Sequence, residues 1–157
     1  MVKSYASSSE LLHELHFVKD RLEPLFSADA ATLQRRYAPG KWTISELLHH
    51  IVDAESVMYE RIRRTLAEQP KPVLWGFWQD HWETAFDYRT YPVTLRKNLF
   101  VGTRDNILYL VEKFYDTHGA LQFVHSETGL RTLRDEMDKI SWHSLHHWRQ
   151  IEQALAS

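Results

Sequence analysis

The sequence predicts an all-α fold, a four-helix bundle with a long crossover connection between the second and third helices. Four segments carry apolar residues at helical spacing over several turns. The connection between the second and third segments runs from Gln69 to Pro92 and also contains Pro70, Pro72 and Gly76, which interrupt regular helix. Four long helices with one long crossover are a recurrent arrangement of helix bundles.

One domain over residues 1–157 is expected, because this length can bury a core and no linker, repeat or low-complexity tract divides it. The formal net charge of −2 provides no basic surface for nucleic acid or an anionic membrane. No segment approaches the roughly 20 apolar residues of a membrane-spanning helix, and the N-terminus lacks the apolar run of a signal peptide. These features predict a cytoplasmic protein that binds neither nucleic acid nor membrane.

The first two long helices are predicted from their N-caps and apolar stripes. The first begins at Ser8 or Ser9 and continues to about Phe26. The second begins at Thr43, because Thr43 and Glu46 match the capping box, in which each side chain accepts a hydrogen bond from the other residue's backbone N–H. Apolar residues then follow at helical spacing.

The second helix should end before Pro70, and a short helix is predicted over residues 79–88 of the crossover. The third long helix is predicted over residues 94–116, followed by a loop over residues 117–129. The fourth covers residues 132–155 and starts with a threonine suited to an N-cap. The inward residues of the third helix are predicted to be Leu99, Ile107, Leu110, Val111 and Phe114.

Histidines are concentrated in the fourth helix, where His143 and His147 lie four residues apart, one above the other on one side. On a helical wheel of about 100° per residue, His147 falls inside the apolar stripe and His143 at its edge. His50 flanks the apolar stripe of the second helix. Two imidazoles from one helix and one from another can hold a metal ion and leave a coordination position open.

The neighbouring His49 and His146 fall on the outer faces of their helices, His49 together with Asp53. A different interpretation of the three inward histidines is also open, since buried imidazoles often only hydrogen-bond to backbone or carboxylates. The His-x-x-x-His spacing does not decide between these interpretations. It lacks the glutamate of the zinc-protease motif His-Glu-x-x-His, because Ser144 occupies that position.

Three segments resemble the DinB-like superfamily, particularly its YfiT-type branch of metal-dependent hydrolases and bacillithiol transferases. They are PGKWTISELLHHIVDAE at residues 39–55, VHSETGLRTL at residues 124–133 and WHSLHHWRQI at residues 142–151. Ser126 stands where the family usually has proline. The match in order and spacing extends from about Ser27 to the C-terminus.

The resemblance implies a bundle that is commonly a homodimer and that holds a zinc or nickel ion through three histidines. Carried over by position, these are His50, His143 and His147, the three that the helical wheels turn inward. Family members include thiol-dependent transferases and isomerases, so the resemblance does not fix the reaction.

An ion with three imidazole ligands can activate water or a bound thiol. The chain has no cysteine, so a low-molecular-weight thiol would come from outside. Gln150 is the candidate catalytic residue, placed to orient a ligand or bound water. Glu46 and Glu55 are possible partners of the imidazoles, but a helix cap and a solvated residue are the preferred interpretations. We therefore expect a metal-dependent hydrolase or thiol transferase acting on a small molecule, with a non-catalytic metal-binding or ligand-binding bundle as the alternative.

The crossover is rich in aromatic residues, and two interpretations are open. They pack against the bundle or against a dimer partner, or they form a wall for an apolar substrate. They are Trp75, Phe77, Trp78, Trp82, Phe86, Tyr88 and Tyr91. Three polar residues among them are expected in solvent, namely Asp80, His81 and Glu83.

Overall fold

The computed structural model describes residues 4–157, and four long helices form the predicted bundle. The α-helices are α1 (Ser8–Leu22), α2 (Ala30–Leu33), α3 (Ile44–Ala67), α4 (Gln79–Phe86), α5 (Lys97–His118) and α6 (Leu133–Ala156). Two 3₁₀ helices cover Glu23–Ser27 and Val93–Arg96. The bundle consists of α1, α3, α5 and α6, and α4 lies in the crossover between the second and third of these, as the sequence predicts.

The helix starts follow local capping chemistry. Thr43 Oγ1 accepts the Glu46 N–H at 3.1 Å while the Glu46 carboxylate accepts the Thr43 N–H at 2.6 Å, which confirms the predicted capping box. The same reciprocal pair forms at α6 between Thr132 and Asp135. The cap of α1 is Ser7, one residue before the predicted position. Local side-chain chemistry therefore sets where α3 and α6 begin, and with them the positions of the histidines.

The predicted loop over residues 117–129 is wrong, because this segment contributes to a three-stranded sheet. Strands β2 (Gln122–His125) and β3 (Gly129–Thr132) pair antiparallel, and β1 (Val73–Leu74) from the crossover pairs parallel with β2. Strands of two to four residues are too short for a readable alternation, and one partner lies far away in the chain. The sheet fastens the crossover beside the start of α6.

The core occupies the space between the four long helices. One end is lined by residues such as Leu11, Ile62 and Met137, and the other by residues such as Phe26, Leu48 and Ile151. Ile107 and Val111 are buried as predicted, but Leu99 is 47% exposed and the neighbouring Phe100 is fully buried instead. Adjacent helical positions point about 100° apart, so only one of the two can face the core. None of the helices within residues 4–157 is long and apolar enough to cross a bilayer.

Candidate metal centre

Three imidazoles meet where α3 packs along α6. One ring nitrogen from each of His50, His143 and His147 lies within 4.8 Å of the other two. The Nε2 atoms of His50 and His143 are 2.9 Å apart. The structure thus brings together the three histidines that the sequence turns inward, because the spacing of four on α6 stacks two of them on the side facing α3.

The three nitrogens lie near the separations that one divalent transition-metal ion requires. Ligand nitrogens about 2.0–2.1 Å from a tetrahedral ion are about 3.3–3.4 Å apart. The His50–His143 contact of 2.9 Å is slightly shorter than this separation, and the upper limit of 4.8 Å is longer by about 1.5 Å. Small side-chain adjustments therefore suffice for the three imidazoles to share one ion.

The three imidazoles are held in the neutral form that metal binding needs. Burial lowers the pKa of His50 to about 3 and that of His147 to about 4, and it holds the pKa of His143 well below its usual range. Repulsion between the clustered rings acts in the same direction. A neutral imidazole offers a nitrogen lone pair, so binding an ion does not require a net loss of protons from this cluster near neutral pH.

Different contacts orient the three rings. His147 donates its Nδ1–H to Gln150 Oε1 at 2.7 Å, which leaves the Nε2 lone pair of His147 available. The His50 ring lies between Trp42 and Phe77, with ring centroids 5.0 and 5.8 Å away. The Nδ1 atoms of His50 and His143 have no hydrogen-bond partner among residues 4–157. Aromatic packing therefore fixes His50, whereas a hydrogen bond fixes His147.

Comparison with known proteins identifies the family. The model of the DinB superfamily matches residues 14–151. The chain belongs to the DinB superfamily. This confirms the resemblance carried by the three sequence segments.

Relatives of this DinB-superfamily chain cover most of its length. A protein of Oceanobacillus iheyensis is 28% identical over 149 residues, which span 94% of this chain and 85% of the relative. A protein of Halalkalibacterium halodurans is 25% identical over 145 residues, spanning 92% and 84%. Both carry the name "putative metal-dependent hydrolase".

The fold is shared with a solved structure. It is that of YfiT from Bacillus subtilis, described as "a probable metal-dependent hydrolase with an unusual four-helix bundle topology". The two structures superpose with a TM-score of 0.81 at 22% identity, over 98% of this chain and 90% of YfiT. The four-helix bundle predicted from the sequence is thereby confirmed.

His49 does not lie on an outer, solvated face of this DinB-superfamily bundle, so that prediction is wrong. Its side chain is fully buried, its ring stacks against Tyr88 and Tyr91, and its Nε2–H donates to the Tyr91 carbonyl at 2.9 Å. The crossover covers this side of α3. His146 is exposed on α6 as predicted and stacks on Trp142.

The acidic residues of α3 are buried and paired. Glu46 completes the cap of α3, as predicted. Glu55 is fully buried in an ion pair with Arg104, and buried Asp53 pairs with Arg96, so the expectation that they are solvated is wrong. Both carboxylates are committed to arginines, and neither forms a hydrogen bond to an imidazole of the cluster.

The crossover aromatics do not share one environment. Phe77 stacks on His50 and forms part of the wall of the imidazole cluster. Trp75 and Trp78 are 77% and 61% exposed, and Phe86 is also exposed. The polar residues among them are exposed or half-buried, namely Asp80, His81 and Glu83.

Sequence reasoning did not identify Lys139 or His125 as site residues. Both line a cavity of about 190 Å³ that also reaches His50 and His143. A signal existed for Lys139, which is four residues before His143 and therefore on the same side of α6. His125 belongs to the second family-like segment, but only the sheet brings it beside the bundle.

Proposed function

We propose that this DinB-superfamily protein is a metal-dependent hydrolase acting on a small molecule, with its ion bound by His50, His143 and His147. The observation that carries the proposal is the convergence of three neutral imidazoles from α3 and α6 beside a cavity. The names of the relatives from Oceanobacillus and Halalkalibacterium support it. Zinc or nickel is the proposed ion, because imidazole is a suitable ligand for both.

A divalent ion held by three imidazoles supplies Lewis acidity, which activates water or another nucleophile at neutral pH. Residues around the three histidines orient the ligands and shield the site. Gln150 holds the tautomer and orientation of His147 through its contact with Nδ1. Phe77 covers His50 from the crossover side, which limits solvent access. We therefore assign Gln150 a positioning role rather than contact with the reacting atoms.

Thiol transfer is the second reaction that the same site supports. Thiolates are soft ligands that bind zinc and nickel well, and the chain has no cysteine that could compete for the ion. An external low-molecular-weight thiol would therefore be the nucleophile. A bundle that binds a metal or a small ligand without turnover is the non-enzymatic alternative.

Metal content tests the proposed ligands. Each of His50→Ala, His143→Ala and His147→Ala should reduce the zinc or nickel that copurifies with the protein, measured by elemental analysis. His146→Ala is the matched control, since His146 is exposed on the same helix and should leave metal content unchanged. Undiminished metal in all three cluster variants would disprove the assignment.

Activity separates the candidate reactions. Protein loaded with zinc, nickel or manganese is assayed for ester and amide hydrolysis and for conjugation of a small thiol to a haloaromatic compound. Hydrolysis that is lost on chelation and in His147→Ala supports the hydrolase. Conjugation alone supports the transferase, and metal binding without either activity supports the non-catalytic alternative. Activity that survives chelation contradicts a role for the ion.

We also propose that the protein is a homodimer. The motivation is the exposure of Trp75, Trp78 and Phe86 on the crossover, since large apolar side chains in solvent often mark an interface. Sedimentation velocity at micromolar concentration measures the assembly. A monomer under these conditions would rule out the dimer.

A further inference from the structure

The cavity beside the three imidazoles has a polar wall that the proposed metal site does not use. Its lining includes His50 and His143 together with Lys139, His125 and Glu127. Its volume of about 190 Å³ corresponds to about six water molecules. It can therefore take a small molecule, or one end of a larger one, directly next to the imidazoles.

Lys139 brings a half-buried positive charge to this wall, and the carboxylates of Glu136 and Glu127 lie near it. Within residues 4–157, no ion pair joins its Nζ to a carboxylate. The two nearby carboxylates are engaged elsewhere. Glu136 accepts from Arg61 Nη1 at 2.8 Å, and Glu127 accepts from the Trp78 indole N–H at 2.6 Å.

The surroundings of Lys139 taken together disfavour its charged form. Burial lowers the pKa of Lys139. The Glu136 carboxylate offsets part of this effect, and the positive charge of Arg61 lowers the pKa further. Arg61 is itself occupied, since it pairs with Glu136 and donates to the carbonyl of Trp75. A partly desolvated ammonium gains strongly from a charged hydrogen-bond acceptor, and the cavity is where such an acceptor can enter.

His125 provides a second donor on the same wall. Its Nδ1 accepts the backbone N–H groups of Glu127 at 3.2 Å and of Thr128 at 3.4 Å. In a neutral imidazole the proton must then be on Nε2. His125 is 5% exposed, and burial lowers its pKa, so the ring presents a neutral N–H donor rather than a charge.

We propose that this cavity binds the acid group, a carboxylate or a phosphate, of an anionic substrate through Lys139 Nζ and the Nε2–H of His125. That the anion is a substrate rests on the proposed hydrolase function, whereas binding of an anion at this cavity is independent of it. Lys139 and His143 are four residues apart on α6, about 6 Å along the helix axis. Because His50 and His143 line the same cavity, the acid group would lie near the imidazole cluster, which selects small anionic molecules.

Calorimetric titration with inorganic phosphate and with acetate tests the anion site, using protein both as purified and after chelation, at constant ionic strength. Lys139→Gln should weaken binding of the preferred anion by about ten- to a hundredfold, the loss expected for a charged hydrogen bond. Lys113→Gln, at an exposed lysine on α5, is the matched control and should remain within twofold of wild type. Equal affinity of wild type and Lys139→Gln, or no binding of either anion to wild type, would overturn the proposal.

A second measurement does not depend on the variant. Acetic anhydride labelling followed by peptide mass spectrometry should show that the preferred anion protects Lys139 in the wild-type protein and leaves Lys113 unprotected. Equal labelling of Lys139 with and without the anion would contradict the site.

Zinc content, measured in the same samples, separates the two proposals. A protein that lacks metal but binds anions through Lys139 retains this inference and loses the proposed function. If the protein binds zinc but Lys139→Gln leaves its anion affinity unchanged, the proposed function is retained and this inference is lost.

Discussion

Replacing Gln150 should weaken metal binding although its side chain contacts a ligand and not the ion. Gln150 Oε1 accepts the Nδ1–H of His147 at 2.7 Å, and this bond selects the tautomer whose Nε2 carries the lone pair. In Gln150→Ala the buried Nδ1–H of His147 has no acceptor. The ring can then rotate or move its proton to Nε2, which removes the lone pair that would bind the ion.

The size of the effect follows from the contact that is lost. Partners of this kind change metal affinity by about 10- to 100-fold, which corresponds to about 1.4–2.7 kcal/mol of binding free energy. The loss should be smaller than in His147→Ala, where the ligand itself is absent.

Competition titration of zinc against a chromophoric chelator at pH 7.5 measures the dissociation constant. Gln150→Glu preserves an acceptor at this position and should retain wild-type affinity or exceed it, because the acceptor is then charged. Gln153→Ala is the matched control, since Gln153 is an exposed glutamine on the same helix. If Gln150→Ala binds zinc within twofold of wild type, the proposed role of Gln150 in orienting His147 is wrong.

Two further predictions concern stability. Glu55→Gln leaves the fully buried Arg104 without its counter-charge. It should lower the free energy of unfolding, measured in urea, by about 3–5 kcal/mol. The control Glu60→Gln, at an exposed position of α3, should change this free energy by less than about 0.5 kcal/mol. Metal-free protein should lose stability as the pH falls from 6.5 towards 4. The pKa values of His50 and His147 in the folded protein are about 3 and about 4, below the value of 6.5 in an unfolded chain. Protons therefore bind the unfolded state more readily and favour it. Each histidine contributes about 1.4 kcal/mol of unfolding free energy per pH unit in that window. In urea titrations, the unfolding free energy of chelator-treated His147→Ala should therefore decline less steeply with falling pH than that of wild type. An unfolding free energy of wild type that does not change with pH would contradict the burial of neutral imidazoles.

Several features of this protein are determined by sequence within a few residues. The capping box of Thr43 and Glu46 fixes the start of α3, and the spacing of four between His143 and His147 places both on one side of α6. The helical wheel turned His50 towards them correctly. These predictions succeed because capping and helical periodicity depend on neighbours along the chain, and a helix converts that spacing directly into direction in space.

Other features were decided by tertiary structure. His49 and Glu55 lie off the apolar stripe of α3, so periodicity alone assigned them to solvent, yet the crossover and α5 cover those faces and bury both residues. The sheet that carries His125 to the cavity pairs strands from distant parts of the chain. Whether a side chain is buried, and which charge it meets there, depends on which segment packs over it. That packing is a property of the whole chain, and local sequence spacing does not contain it.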